Sequence, residues 1–199
     1  MEIPGAEIDG CARSHERLRV AIARLADPDI GRPSMLPGWT IGHVLTHLAR
    51  NAEAMCLRVD AATRAEVVEQ YVGGVAGRAA EIDAGSSRPA REIESDVVRW
   101  STKLDDLFGS LSAEDWARPV RTVAGGDHPV SMLPFRRWRE VEVHLVDLGI
   151  GLTPLDWPPD LVERTLPRLL AGLPDRADQR ILMAWLLGRG DAPALEPWG

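Results

Sequence analysis

Between residues 89 and 108, Ile93, Val97, Trp100, Leu104 and Leu107 recur at steps of three and four. That spacing puts them on one stripe of an α-helix, and the stripe must be buried against other helices. Three further stretches supply partners. Residues 8–26 turn His15, Leu18, Ile22 and Leu25 inward, and Asp27-Pro28 reads as their stop. Residues 41–61 carry Ile41, Val44, Leu45, Leu48, Ala52 and Met55, with Thr40 as a good N-cap. Residues 137–149 carry Trp138, Val141, Leu145 and Leu148 within one narrow sector. Four long amphipathic helices predict an all-α four-helix bundle.

The chain has 199 residues, enough for one domain with a substantial core, or for a bundle of about 150 residues with an extension. Its formal charge of −7 argues against nucleic acid or an anionic membrane as the main partner. No apolar run is long enough for a transmembrane helix, and Glu2, Glu7 and Asp9 stand where a signal peptide needs basic and then apolar residues. Cys11 and Cys56 lack motif spacing and read as reduced thiols of a cytoplasmic protein. Lys103 is the one lysine among 23 basic residues, a mark of a GC-rich coding sequence.

The chemistry concentrates on two of the helices. Glu140 and His144 lie four apart, hence one above the other, at the flank of an apolar stripe. Such a pair is either a surface Glu–His contact or half of a metal site whose third ligand comes from elsewhere. His47 and Asn51 occupy the corresponding flank of the second helix, one turn apart. If the two helices are neighbours, His47 points into the same space. His43 lies one turn before His47 but further towards solvent, Arg50 reads as a solvated charge, and His15 reads as a hydrogen-bonded core histidine. His128, in a Gly- and Pro-rich connection with a hairpin near Gly125-Gly126, reads as a loop residue. Residues 63–71 are expected to continue as a short helix, and Gly73, Gly74 and Gly77 to loosen the chain after it. Beyond Pro154, the rigid Asp156-Trp157-Pro158-Pro159 precedes two short helices, at about 160–170 and 177–188. The expected division is 1–153 for the bundle and 154–199 for a short C-terminal helical extension.

Two stretches together resemble a known family. Leu36-Pro-Gly-Trp-Thr-Ile-Gly-His-Val-Leu-Thr-His-Leu-Ala-Arg-Asn51 and Arg137-Trp-Arg-Glu-Val-Glu-Val-His-Leu-Val-Asp-Leu-Gly149 are similar to the second and last bundle helices of the mycothiol-dependent maleylpyruvate isomerases. The resemblance implies a DinB-like four-helix bundle with one zinc ion. Carried over by motif, the metal ligands are His47, Glu140 and His144, the residues that helical geometry puts on two flanks. It also implies mycothiol as thiol cosubstrate, a small-molecule electrophile, and a GC-rich actinobacterial source. Arg137 matches a family arginine and is expected to hold a substrate or cofactor carboxylate. Asn51 is expected to orient a ligand or to hydrogen-bond the cofactor. Isomerase-type members carry a second, α/β domain after the bundle, which here reads as reduced to two helices. The oligomeric state is open, with a homodimer one option.

Three protein ligands with one open position describe a catalytic zinc site, where a thiol is deprotonated at neutral pH. In the isomerase reaction a thiolate adds to a conjugated cis double bond, the bond rotates, and elimination gives the trans product. In the transferase variant the adduct is kept. The competing class is a non-catalytic metal-binding bundle. A metal-dependent hydrolase fits less well, because no His-Glu-x-x-His is present.

Overall fold

The computed structural model describes residues 3–195 and divides the chain into two compact units, Met1–Asp156 and Trp157–Gly199. The first unit is built on four long helices: α1 (Gly5–Ile22), α3 (Ile41–Thr63), α5 (Ala90–Ser110) and α6 (Leu133–Asp147), with α2 (Asp27–Ile30) and α4 (Gly74–Gly85) between them. Helix α3 packs along α5, and α1 packs along α6 and α5; α3 also touches α6, which is the contact that makes the site. The core joins Leu18 and Ile22 of α1, Val44, Leu45 and Leu48 of α3, Ile93 and Val97 of α5, and Val141 and Leu145 of α6. Each belongs to a stripe expected from the sequence.

Close approach is secured by two small residues. A Cβ at Gly10 would run into the ring of Trp138, so α1 lies directly on the indole of α6. A Cβ at Gly42 would meet the carbonyl oxygen of Ser86, so the start of α3 lies against the α4–α5 connection.

Three expectations change. Asp27-Pro28 does not close the first helix. That helix stops at Ile22, and Pro28 sits in the first turn of α2, where a missing N–H costs nothing. Asp29 Oδ2 accepts from the Ala26 amide at 3.0 Å to cap it. Helix α3 runs through Thr63 and residues 64–71 are not helical; Ala65 has φ +60 and the chain turns there. The helix begins instead at the glycines read as a break. Gly73 and Gly74 have φ +73 and +63, a conformation glycine takes freely, and they turn the chain into α4. On α5, Ile93, Val97 and Leu104 are buried as expected, joined by Phe108, while Trp100 lies at the edge with Arg99 5.0 Å and Lys103 5.5 Å from its ring centroid.

The hairpin forms from β1 (Pro119–Arg121) and β2 (Asp127–Pro129), antiparallel, with Val120 opposite His128. In the second unit, α7 (Pro159–Ala171) starts with Pro159 and α8 (Gln179–Leu186) is capped by Asp178, whose carboxylate accepts from the Arg180 amide at 2.9 Å. No helix among the described residues is long and apolar enough to cross a membrane.

Candidate metal centre

Thr40 opens α3 with a reciprocal cap. The His43 amide donates to Thr40 Oγ1 at 3.4 Å, and the Thr40 amide donates to His43 Nδ1 at 3.2 Å. Histidine thus fills the place that glutamate or glutamine usually takes three residues into such a box. This spends His43 at the helix start, as its outward position in the sequence suggested. One turn on, His47 is 2% exposed and faces α6.

There His47 Nε2 lies 2.8 Å from Glu140 Oε1, and His144 Nε2 lies 3.7 Å from the same oxygen. The two imidazoles meet edge to face with centroids 4.8 Å apart. One ligand atom from each of His47, Glu140 and His144 falls within 4.8 Å of the others. The far nitrogen of His144, Nδ1, pairs with Asp147 Oδ2 at 2.9 Å. A carboxylate behind a ligating histidine fixes the ring and raises its basicity, the usual outer support of a zinc site. Two nitrogens and an ionised oxygen converging on one small volume suit zinc or a similar divalent ion. Asn51 Nδ2 reaches Glu140 Oε1 at 3.5 Å from the next turn of α3. Trp39 covers the opening turn, its ring centroid 5.7 Å from that of His47.

The electrostatics follow from burial and from these partners. Burial pushes His47 down to about 4, so it is neutral at pH 7. Burial alone would raise Glu140, but hydrogen bonds from His144 and His47, and then their charges, hold it well below the usual carboxylate range. Burial would likewise lower His144, yet Asp147 and Glu140 carry it up to about 9. Without a metal ion the site is therefore a neutral imidazole and an imidazolium sharing one carboxylate.

Arg137 has a different setting from the one expected. Its side chain is fully buried, and its guanidinium donates to His15 Nε2 at 3.0 Å, Leu48 O at 2.9 Å, Asn51 Oδ1 at 3.0 Å and Ser101 Oγ at 3.4 Å. It is turned into the bundle behind His47, Glu140 and His144, and its donors are spent on protein acceptors. The helical projection gave its side correctly but not its depth. Asn51, 6% exposed, has its oxygen on Arg137 and its amide towards Glu140. Arg50 is not a solvated charge either: it donates to Asp96 Oδ2 at 2.7 Å.

A second cluster, Cys11, His15 and Asp105, also has its ligand atoms within 4.8 Å of one another. It suits a cation poorly. His15 Nε2 accepts from Arg137, so Nδ1 carries the proton and gives it to Asp105 Oδ1 at 2.9 Å. Both ring nitrogens are occupied, a buried guanidinium adjoins them, and burial pushes the Cys11 thiol up. His15 is the core histidine its position predicted.

Sequence reasoning missed Arg78. Its Nη2 lies 3.0 Å from His47 Nδ1, and it projects from α4, a helix the glycines concealed. Asp147 was visible in the sequence three residues after His144, a spacing that puts both on one helical face.

Compared with known families, residues 11–149 match the model of the mycothiol maleylpyruvate isomerase N-terminal domain. The chain belongs to that family. Among solved structures, the fold is similar to a mycothiol-dependent maleylpyruvate isomerase, with a TM-score of 0.76 and 28% identity over 82% of this chain and 67% of that one. A variant of that enzyme with one histidine replaced by alanine matches with the same TM-score of 0.76 and the same 28% identity. A search of curated proteins gives no match. The matched span contains His47, Arg78, Glu140 and His144, the side chains that meet at the candidate site.

Proposed function

We propose that this chain is a zinc-dependent, mycothiol-using enzyme that activates a thiol for addition to an electrophile, by S-transfer or by thiol-assisted cis–trans isomerisation. The observation that carries the reading is the convergence of His47, Glu140 and His144 on one small volume, with Asp147 and Asn51 holding two of them in place.

In this reading His47 Nε2, one Glu140 oxygen and His144 Nε2 hold the ion. A zinc ion there would supply a Lewis acid that lowers the pKa of a thiol brought to it. The chain's own residues do the rest. Asn51 and Arg137 fix the Glu140 carboxylate, and Asp147 keeps the proton of His144 on Nδ1 so that Nε2 is free to face inward. Trp39 closes the His47 side against water. Zinc as the native metal, mycothiol as this chain's thiol and a small-molecule electrophile are parts of the same proposal.

The test is thiol consumption with mycothiol and a panel of electrophiles including maleylpyruvate, beside metal analysis of the same preparation. The expected result is about one divalent ion per chain and turnover that a chelator abolishes. A bundle that holds its metal but consumes no thiol and yields no trans product would be the non-catalytic alternative.

A further inference from the structure

A guanidinium only donates hydrogen bonds. The 3.0 Å contact between Arg78 Nη2 and His47 Nδ1 therefore makes Nδ1 the acceptor. The ring proton of His47 then sits on Nε2 and is donated to Glu140 Oε1, 2.8 Å away. This is the opposite tautomer to the one that ligates through Nε2. When a metal ion takes Nε2 it displaces that proton, and a neutral ring carries its proton on Nδ1. Two N–H groups would then face each other across the Arg78 contact. The guanidinium has to leave.

Arg78 has the means to do so. It is half-buried, the centroid of the Tyr71 ring lies 5.8 Å from it, and no carboxylate pairs with it among the described residues. Arg50, Arg88 and Arg99 are by contrast all committed to Asp96. Arg137 is committed within the core. Arg78 is thus the cation that a metal ion would set free beside its own binding site, with a fork suited to a carboxylate.

We propose that Arg78 is the residue that holds a carboxylate of the electrophile, released from His47 when Nε2 takes a metal ion, and that it sets a preference for carboxylate-bearing substrates. This rests on the function proposed above and adds a residue, a tautomer exchange and a coupling to it. Metal and carboxylate binding become linked, each strengthening the other by the same factor.

The experiment measures zinc affinity by competition with a chromophoric chelator, and maleate binding by calorimetry, in wild type, R78M and R78K. Zinc-loaded wild type should bind maleate about ten- to a hundredfold more tightly than zinc-loaded R78M, the scale of one charge-assisted contact. R78K, which keeps the charge and loses the fork, should fall between them. R78M should hold zinc at least as tightly as wild type, because the contact that opposes the ligating tautomer is gone; the same titration shows that its site is folded. Equal maleate binding by wild type and R78M, or weaker zinc binding by R78M, would overturn the role of Arg78 alone. A wild-type protein that binds no zinc would overturn the proposed function, and this inference with it.

Discussion

Arg137 Nη1 donates to Asn51 Oδ1 at 3.0 Å, and this one contact decides which way the Asn51 amide points. With its oxygen spent on a buried cation, the amide nitrogen is left for Glu140. The carboxylate is thereby approached from behind by Asn51, which is itself fixed by a fully buried cation. The first expectation concerns that cation.

Arg137→Met should behave as a stability variant. It would leave Leu48 O, His15 Nε2 and Asn51 Oδ1 without their donor in the core, a loss of about 3–5 kcal/mol. Chemical denaturation measures this directly. An Arg137→Met protein as stable as wild type, with a raised KM for its substrate, would show that the guanidinium serves the ligand after all.

Metal analysis should separate the histidines. His144→Ala should empty the site, whereas His43→Ala should keep the ion and lose only the hydrogen bond from the Thr40 amide to the imidazole, about 0.5–1.5 kcal/mol, because the backbone amide at 43 still donates to Thr40 Oγ1. If His43→Ala empties the site while Glu140→Ala leaves it filled, the ligand set is wrong.

The chelator-treated protein should lose stability on the alkaline side. His144 is raised from 6.5 to about 9, so its contribution is fully present below pH 6.5 and is lost as the pH rises through 9. The expected fall is on the order of 1–3 kcal/mol, several degrees in Tm. The comparison is the Tm-against-pH slope between 6.5 and 9 with that of His144→Gln, which should be flatter. Parallel slopes would remove His144 as the cause.

Gly42→Ala should destabilise by about 1–3 kcal/mol, because its Cβ needs the space of the Ser86 carbonyl oxygen. Gly5→Ala, with open space around it, should be neutral or slightly stabilising. Thermal melts of the two variants side by side provide the check.

The long helices were legible because burial imposes a period of 3.6 residues on the sequence, and Ile93, Val97 and Leu104 repeat it without a break. The flank that His47 occupies on one helix, and that Glu140 and His144 occupy on another, was legible for the same reason; that the two helices are neighbours came from packing. Depth was not legible. Arg137 and Glu140 are neighbours on the projection, and only packing decides that one is sealed by His15 and Ser101 while the other stays at the rim. Helix α4 was hidden because glycines break most helices, and here the pair at 73 and 74 turns the chain into one. Arg78 was hidden with it.

His47 and Glu140 stand 93 residues apart in the chain, although their side chains touch. An ion gripping both would act as a reversible crosslink across that long loop. By the chain-entropy estimate for a covalent bridge of similar span, the unfolded ensemble would be restricted by roughly 4–5 kcal/mol. The ion that this site is suited to hold would then also be a clasp on the folded bundle, and a cell short of the metal would hold a protein that is easier to degrade.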